Sequence, residues 1–186
     1  MKTRSYISIL ILVAMPLLYF TSCNKIKSLT SFDVTVQMPR EHFTYTGPEL
    51  KAGEIILYSG KVTVNLDSIL SANGFSSGSI QTTTITNLTI TMESPPDSTF
   101  RWLGSARATV ADNENFSPET QVASVTNSDP KAKTLNVTVN NVDIRPLLSN
   151  PGFWLRVYGV INGPLPALTV GMYIDGSIKL HVSPLG

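Results

Sequence analysis

The segment that decides the fold is Leu168-Thr169-Val170-Gly171-Met172-Tyr173-Ile174-Asp175-Gly176-Ser177-Ile178-Lys179-Leu180-His181-Val182. Its apolar and polar residues alternate with a period of two, and the alternation lasts too long for a helix. One face of this strand is therefore predicted to be buried and the other to be hydrated, as in an antiparallel sheet with a single covered face. Gly176 is expected to mark a bend in the strand. The predicted buried face consists of Leu168, Val170, Met172, Ile174, Ile178, Leu180 and Val182.

The same alternation recurs along the chain, with stretches that begin at Phe32, Val62, Leu88 and Leu135. We therefore expect an all-β fold, an antiparallel β-sandwich of about eight strands with one or two short helical turns. The segment from Pro39 to Gly53 has no clean period and is interpreted as a long loop or an irregular edge.

The parity of a residue along its strand also predicts whether its side chain is buried or exposed. Val137, Val170 and Ile174 should be buried, and Trp102 should join them because it shares the parity of the apolar positions around it. The polar positions expected on the exposed faces are Asn136, Thr138 and Lys179.

Two short segments have a helical pattern and resemble each other: 66–75 and 142–153. In each segment an Asp follows an apolar residue near the start, and Asp67 and Asp143 are predicted to cap the first turn. Gly74 and Gly152 are predicted to end the turns in the left-handed conformation. The likeness fits either an internal duplication or convergent capping.

Cys23 is the only cysteine of the 186 residues. It follows an apolar run of about 14 residues, Ile7 to Phe20, which Lys2 and Arg4 precede. This arrangement resembles a type II signal peptide with its lipobox. The resemblance implies cleavage before Cys23, a diacylglyceryl group on its sulfur and an acyl chain on the new amino terminus, which together anchor a protein to a membrane.

The alternatives to this reading are an ordinary secretory signal and a transmembrane anchor, although spanning a bilayer takes about 20 apolar residues. The predicted organisation is a signal peptide at 1–22, a lipidated tether at 23–30 and a single β-sandwich domain at 31–186. Removal of residues 1–22 takes away Lys2 and Arg4 and no acid, so the formal net charge changes from +1 to −1. Such a charge provides no steering toward nucleic acid.

The sequence offers no catalytic motif that can be recognised by spacing. His42 and His181 are the only histidines, and they share no metal-ligand spacing. The carboxylates are scattered singly, so a hydrolase site would have to be assembled from distant loops. We therefore expect no catalytic residues, no metal site and no cofactor.

A candidate binding patch comes from the last two strands. If they form a hairpin in which Ile161 pairs with Leu168, every apolar pair lies on one face. The opposite face then carries Trp154, Arg156, Tyr158, Tyr173 and Asp175. Aromatic residues with arginine and an acid are common where proteins or sugars are recognised. The same face could instead be covered by the segment from Pro39 to Gly53.

The chain as a whole is similar to the small β-sandwich lipoproteins of Gram-negative envelopes. The resemblance implies a lipid-anchored protein of the cell envelope, with the anchor in the outer membrane facing the periplasm and surface exposure as the alternative. The first functional hypothesis is a non-enzymatic binding or adaptor module for a protein or a glycan. The alternatives are a pilus-like or surface-layer-like structural subunit assembled by strand addition, and a hydrolase.

Two short patterns, Asp67-Ser68-Ile69 and Asp97-Ser98-Thr99, look like acceptors for periplasmic O-glycosylation. For Asp67, helix capping explains the residue equally well.

Overall fold

The computed structural model describes residues 31–47, 53–148 and 152–183, and within them two antiparallel sheets form a sandwich. The predicted signal peptide and tether lie outside the described residues. Sheet 1 consists of β1 (Phe32–Gln37), β2 (Glu41–Thr46), β4 (Ile80–Ser94), β7 (Thr134–Asn136) and β10 (Thr169–Val182). Sheet 2 consists of β3 (Gly53–Thr63), β5 (Leu103–Ala111), β6 (Thr120–Thr126), β8 (Thr138–Val139) and β9 (Gly152–Ile161). The predicted fold class is confirmed.

The last strand, β10, is the organising strand of sheet 1. It pairs with β4 on one side, while β1 and β2 pair in tandem with its other side. The order is β1-β10-β4-β7 in sheet 1 and β3-β9-β5-β6-β8 in sheet 2. Gly176 lies between the β10 residues that pair with β1 and those that pair with β2, and a Cβ at this position would meet the Met38 side chain and the Asn87 carbonyl oxygen.

The core lies between the two sheets and follows the predicted parity. Val137, Val170 and Ile174 are buried, and Trp102 is fully buried. Asn136 and Thr138 are exposed, because alternate side chains of a strand point to opposite faces. Leu168 departs from the pattern: it is 69% exposed because it precedes β10 and lies in the connecting loop.

The first helical prediction is confirmed and the second is only partly right. Helix α1 spans Leu66–Ala72, but its N-cap is Asn65, whose side chain accepts a hydrogen bond from the Ser68 amide at 3.0 Å. Gly74 has a φ of +80°. The amides of Gly74 and Phe75 bond back to the Ser71 and Leu70 carbonyls, which is the pattern of a Schellman C-cap.

In the described part of the second segment, residues 142–148 and 152–153, the one helical element is a 3-10 turn, Arg145–Leu147. Further 3-10 turns occur at Ser77–Ser79 and Phe100–Trp102. Asp143 caps no α-helix, because its carboxylate accepts the Thr83 and Arg145 amides at 2.8 and 3.0 Å and ties the segment to β4. Gly152 is not a left-handed stop. It opens β9, where a Cβ would collide with the Val62 carbonyl of β3.

Two further interpretations of the sequence need correction. The segment from Pro39 to Gly53 contains the strand β2, although residues 48–52 lie outside the described part. The last two strands do not form a hairpin: β9 belongs to sheet 2 and β10 to sheet 1, so Asn162–Ala167 carries the chain from one sheet to the other. Among the described residues, no helix has the length and apolar character needed to cross a membrane.

Candidate functional site

The five residues of the predicted patch lie on two different surfaces. Trp154, Arg156 and Tyr158 lie on the outer face of sheet 2, whereas Tyr173 and Asp175 lie on the outer face of sheet 1. Since the two sheets pack face to face, their outer faces point in opposite directions. The contiguous patch is therefore wrong, and each half has acquired different neighbours.

On sheet 1, Arg40 forms a compact cluster with Tyr173 and Asp175. The guanidinium lies 4.1 Å from the Tyr173 ring centroid and donates two hydrogen bonds to the Asp175 carboxylate, at 2.9 and 2.8 Å. The His42 ring lies 5.7 Å from that of Tyr173, and His42 Nδ1 is 3.0 Å from Glu93 Oε2. The cluster satisfies its own charges and covers the Tyr173 ring.

On sheet 2, Arg107 makes the corresponding arrangement with Tyr158 and Glu54. Its guanidinium lies 3.8 Å above the Tyr158 ring and donates to the two Glu54 oxygens at 2.7 and 2.8 Å. The hydrogen bond from Arg107 lowers the pKa of Glu54, and the same bond raises the pKa of Arg107. Both groups are therefore held in their charged forms.

Glu119 extends this cluster with a second carboxylate. The Tyr158 hydroxyl and the Thr109 hydroxyl donate to Glu119 Oε2 at 2.9 and 3.0 Å. Arg107 Nη1 lies 3.7 Å from Glu119 Oε1. One guanidinium thus faces two carboxylates across a tyrosine ring.

The loop between β5 and β6 covers one half of the outer face of sheet 2. Phe116, which has a φ of +53°, is buried beneath the Arg156 guanidinium, 3.8 Å from its ring centroid. Ala111 is also buried and pairs with the partly buried Trp154. Both Phe116 and Ala111 lie outside the main core cluster, so this half of the face is a small second core and Trp154 belongs to it.

The other half of the face remains open and forms a shallow groove of about 560 Å³. Small side chains form its floor, where β5, β6 and β8 lie side by side, while Glu54, Arg107 and Tyr158 form one wall. The groove is rich in hydroxyl and amide groups that bond to no other described side chain or backbone group. These groups belong to Ser105, Gln121, Ser124, Thr126 and Thr138.

Sequence reasoning missed Arg107, Glu54 and Glu119. The sequence does predict that Arg107 points outward, because Ser105, Arg107 and Thr109 alternate with apolar residues. Its pairing with Glu54, 53 residues away, had no local signal.

The described residues, 31–47, 53–148 and 152–183, contain no group of three or more His, Cys, Asp or Glu side chains placed to hold a metal ion. His181 Nδ1 lies 2.9 Å from Asp33 Oδ1 on the outer face of sheet 1. Neither histidine lines the groove.

No protein-family model matches the chain, and no curated protein matches it. Several solved virus structures resemble it at low similarity. The infectious bursal disease virus VP2 subviral particle matches with a TM-score of 0.35 and 8% identity over 83% of this chain, which spans only 33% of the VP2 chain. Desmodium yellow mottle tymovirus matches with a TM-score of 0.28 and 14% identity, covering 82% of this chain and 83% of that one. The decameric BFDV capsid protein matches with a TM-score of 0.34 and 11% identity, covering 81% of this chain and 99% of that one. Similarity at this level carries no functional information for this chain.

Proposed function

We propose that the protein is a lipid-anchored, non-enzymatic binding module of the cell envelope that holds a neutral glycan chain in the groove of sheet 2. The observation that carries the proposal is the groove itself: an open surface with many unengaged hydroxyl and amide groups beside a charge-compensated wall. The anchor is the proposed lipid on Cys23.

The chemistry of the groove favours a sugar over a protein segment. Hydroxyl and amide side chains donate and accept hydrogen bonds, which suits the many hydroxyls of a sugar. The charges of Arg107 and Glu54 satisfy each other, so the wall presents no unpaired charge that would select an ionic ligand. Protein interfaces are instead built around a buried apolar or aromatic anchor, and Val160, at 37% exposure, is the largest apolar side chain exposed in this groove.

The carboxylates beside the groove support a non-enzymatic role. A general acid must be protonated at its working pH, which requires a raised pKa. The pKa of Glu54 is lowered by the hydrogen bond from Arg107. Glu119 accepts hydrogen bonds from two hydroxyls and faces the same guanidinium.

The test uses the mature lipidated protein in phosphatidylcholine vesicles and a panel of neutral hexasaccharides, namely gluco-, manno- and galacto-oligomers. Calorimetry should detect binding of at least one of them. Thr126→Trp, which fills the groove, should abolish that binding. Thr35→Trp is the matched control, because Thr35 is also exposed and lies on the outer face of sheet 1.

The proposal fails if no neutral oligosaccharide binds or if both tryptophan variants lose binding equally. Circular dichroism of both variants shows whether the fold is retained.

A structural subunit assembled by strand addition is the second candidate, and β3 is the observation that favours it. This 11-residue strand pairs with β9 alone among the described strands, and Ile56 on it is 49% exposed. Exposed edge strands pair with strands of other chains. A bulge between Ile56 and Tyr58 interrupts the strand, which opposes such pairing. Sedimentation at increasing concentration would show self-association that Ile56→Pro removes if this candidate were correct.

A further inference from the structure

The first described strand fixes which end of the sandwich is nearest to Cys23. Phe32 opens β1 and pairs with Val182 at the end of β10, and its ring lies 4.9 Å from that of Phe75. Phe75 lies two residues after Asn73, the C-cap of α1. We call this corner, made of Phe32, Phe75 and α1, the tether end; the opposite end carries Leu168 and the loop after β6, which includes Ser128.

The chain length between Cys23 and Phe32 limits how far the domain extends from its anchor. Nine residue steps span at most ~30 Å. Strand β10 is longer, because the steps between its 14 residues, at ~3.3 Å each, together span about 43 Å. The tether end is therefore the end within easy reach of a bilayer that holds the lipid.

The surface of the tether end suits a lipid interface better than the outer faces do. The sequence from 65 to 79 contains a single charged residue, Asp67. The Phe32 side chain is 37% exposed although it is large and apolar. By contrast, both outer faces carry ion pairs, such as Arg40 with Asp175 and Arg107 with Glu54. Laying either face on the bilayer would remove water from these charges, which is costly.

The charged residues of two other segments also bear on this orientation. Arg145 donates to the Ile80 carbonyl at 3.2 Å and is exposed, and a cation at headgroup level is attracted to anionic lipids. The acidic β5–β6 loop, with Asp112 and Glu114, folds over sheet 2, where Phe116 packs on Arg156. This loop thus joins two strands of sheet 2, whereas Phe32 belongs to sheet 1.

We propose that the tether end rests on the membrane, with the Phe32 ring at the boundary between headgroups and acyl chains. Phe, Trp and Leu are the side chains that interfacial segments bury at this depth. The inference rests on the proposed lipid anchor and adds an orientation to it. The strands then stand away from the bilayer, and the groove, which lies where Glu54 pairs with Val160, opens about 25 Å above the level of Thr63.

The test uses the full lipidated protein in vesicles that contain a nitroxide-labelled phospholipid. Because Cys23 is the only cysteine and its sulfur carries the diacylglyceryl group in this proposal, an introduced cysteine is the single free thiol for a fluorescent label. Ser76→Cys places the label at the tether end, and Ser128→Cys is the matched control at the opposite end; both serines are exposed. The label at position 76 should be quenched severalfold more than the label at position 128.

A second comparison tests Phe32 itself. Phe32→Ser should reduce the quenching at position 76, and Phe32→Leu should retain it because the side chain stays apolar. Leu168→Ser, a change at the opposite end, should have no effect.

The outcomes separate the two proposals. If the protein does not float with the vesicles and mass spectrometry finds an unmodified Cys23, the anchor and the orientation both fail. If the protein floats but the two labels are quenched equally, or position 128 more, the orientation alone is overturned.

Discussion

The two outer faces of the sandwich carry the same three chemical groups in the same arrangement. On sheet 1, Arg40 lies over Tyr173 and bonds to Asp175; on sheet 2, Arg107 lies over Tyr158 and bonds to Glu54. The surroundings differ. The Arg40 side chain is 51% exposed and the Arg107 side chain only 28%, because a second carboxylate, Glu119, and the β5–β6 loop enclose Arg107.

The comparison teaches that an arginine, a tyrosine and an acid together do not define a binding site. On sheet 1 the three groups satisfy one another's charges and lie next to β2. On sheet 2 the same groups form the wall of a groove whose floor consists mostly of small side chains, many of which carry hydroxyl groups. The candidate function therefore depends on the residues of the groove floor, while the arginine, the tyrosine and the acid form the edge of the groove.

The largest predicted effect concerns the core directly beneath the sheet 1 cluster. Ile174 lies between Tyr173 and Asp175 and points to the opposite face, where it is buried. Ile174→Ala should lower the free energy of unfolding by about 2 to 5 kcal/mol, since it leaves a cavity. Asn136→Ala, at an exposed position of the same sheet, should change it by within roughly 0.5 kcal/mol. Equal urea midpoints for the two variants would contradict the assignment of faces.

The next largest effect is a loss of unfolding free energy that should differ between the two clusters. Arg107→Ala leaves Glu54 and Glu119 facing each other without their cation and uncovers the Tyr158 ring. We expect a loss of about 1 kcal/mol, already discounted for solvent exposure. Arg40→Ala, the matched change on sheet 1, should cost less because Arg40 is more exposed. A larger loss for Arg40→Ala in urea unfolding would reverse the comparison.

The smallest expected effect is a pH dependence of the stability that the sheet 2 cluster contributes. Arg107 lowers the pKa of Glu54 below its ordinary value of 4.5 in the folded protein. The ionised Glu54 therefore contributes stability above pH 4.5, and this contribution is lost as the pH falls through the lowered pKa. The contribution should be below about 1 kcal/mol because the pair is partly exposed. The difference in unfolding free energy between wild type and Glu54→Gln should shrink on acidification; a constant difference would refute the linkage.

The sequence predicted which way most side chains point, because a strand with one buried face must alternate. Val137, Val170 and Ile174 are buried as expected, and Asn136 and Thr138 are exposed. Alternation does not determine which strands are neighbours. Every strand of a sandwich presents one apolar face, so β9 and β10 match each other as well as they match their true partners.

The errors have identifiable causes. The six residues from Asn162 to Ala167 were treated as a hairpin loop, yet a loop of that length also connects two sheets. Strand β2 was missed although Phe43 and Tyr45 alternate with His42, Thr44 and Thr46, because the flanking residues break the pattern. The groove depends on where β5, β6 and β8 meet, and no local pattern encodes such long-range pairing.

The central position of β10 also sets the order in which the protein can fold. A chain that ends before Thr169 leaves β1, β2 and β4 without the strand that joins all three. Sheet 1 is completed only after β10 is available, since pairing between strands that are distant in sequence is slow to form. Synthesis from the amino terminus thus delivers β10 after the three strands that it joins. A chain still lacking β10 is an incomplete sandwich with open strand edges, and such edges pair with strands of other chains.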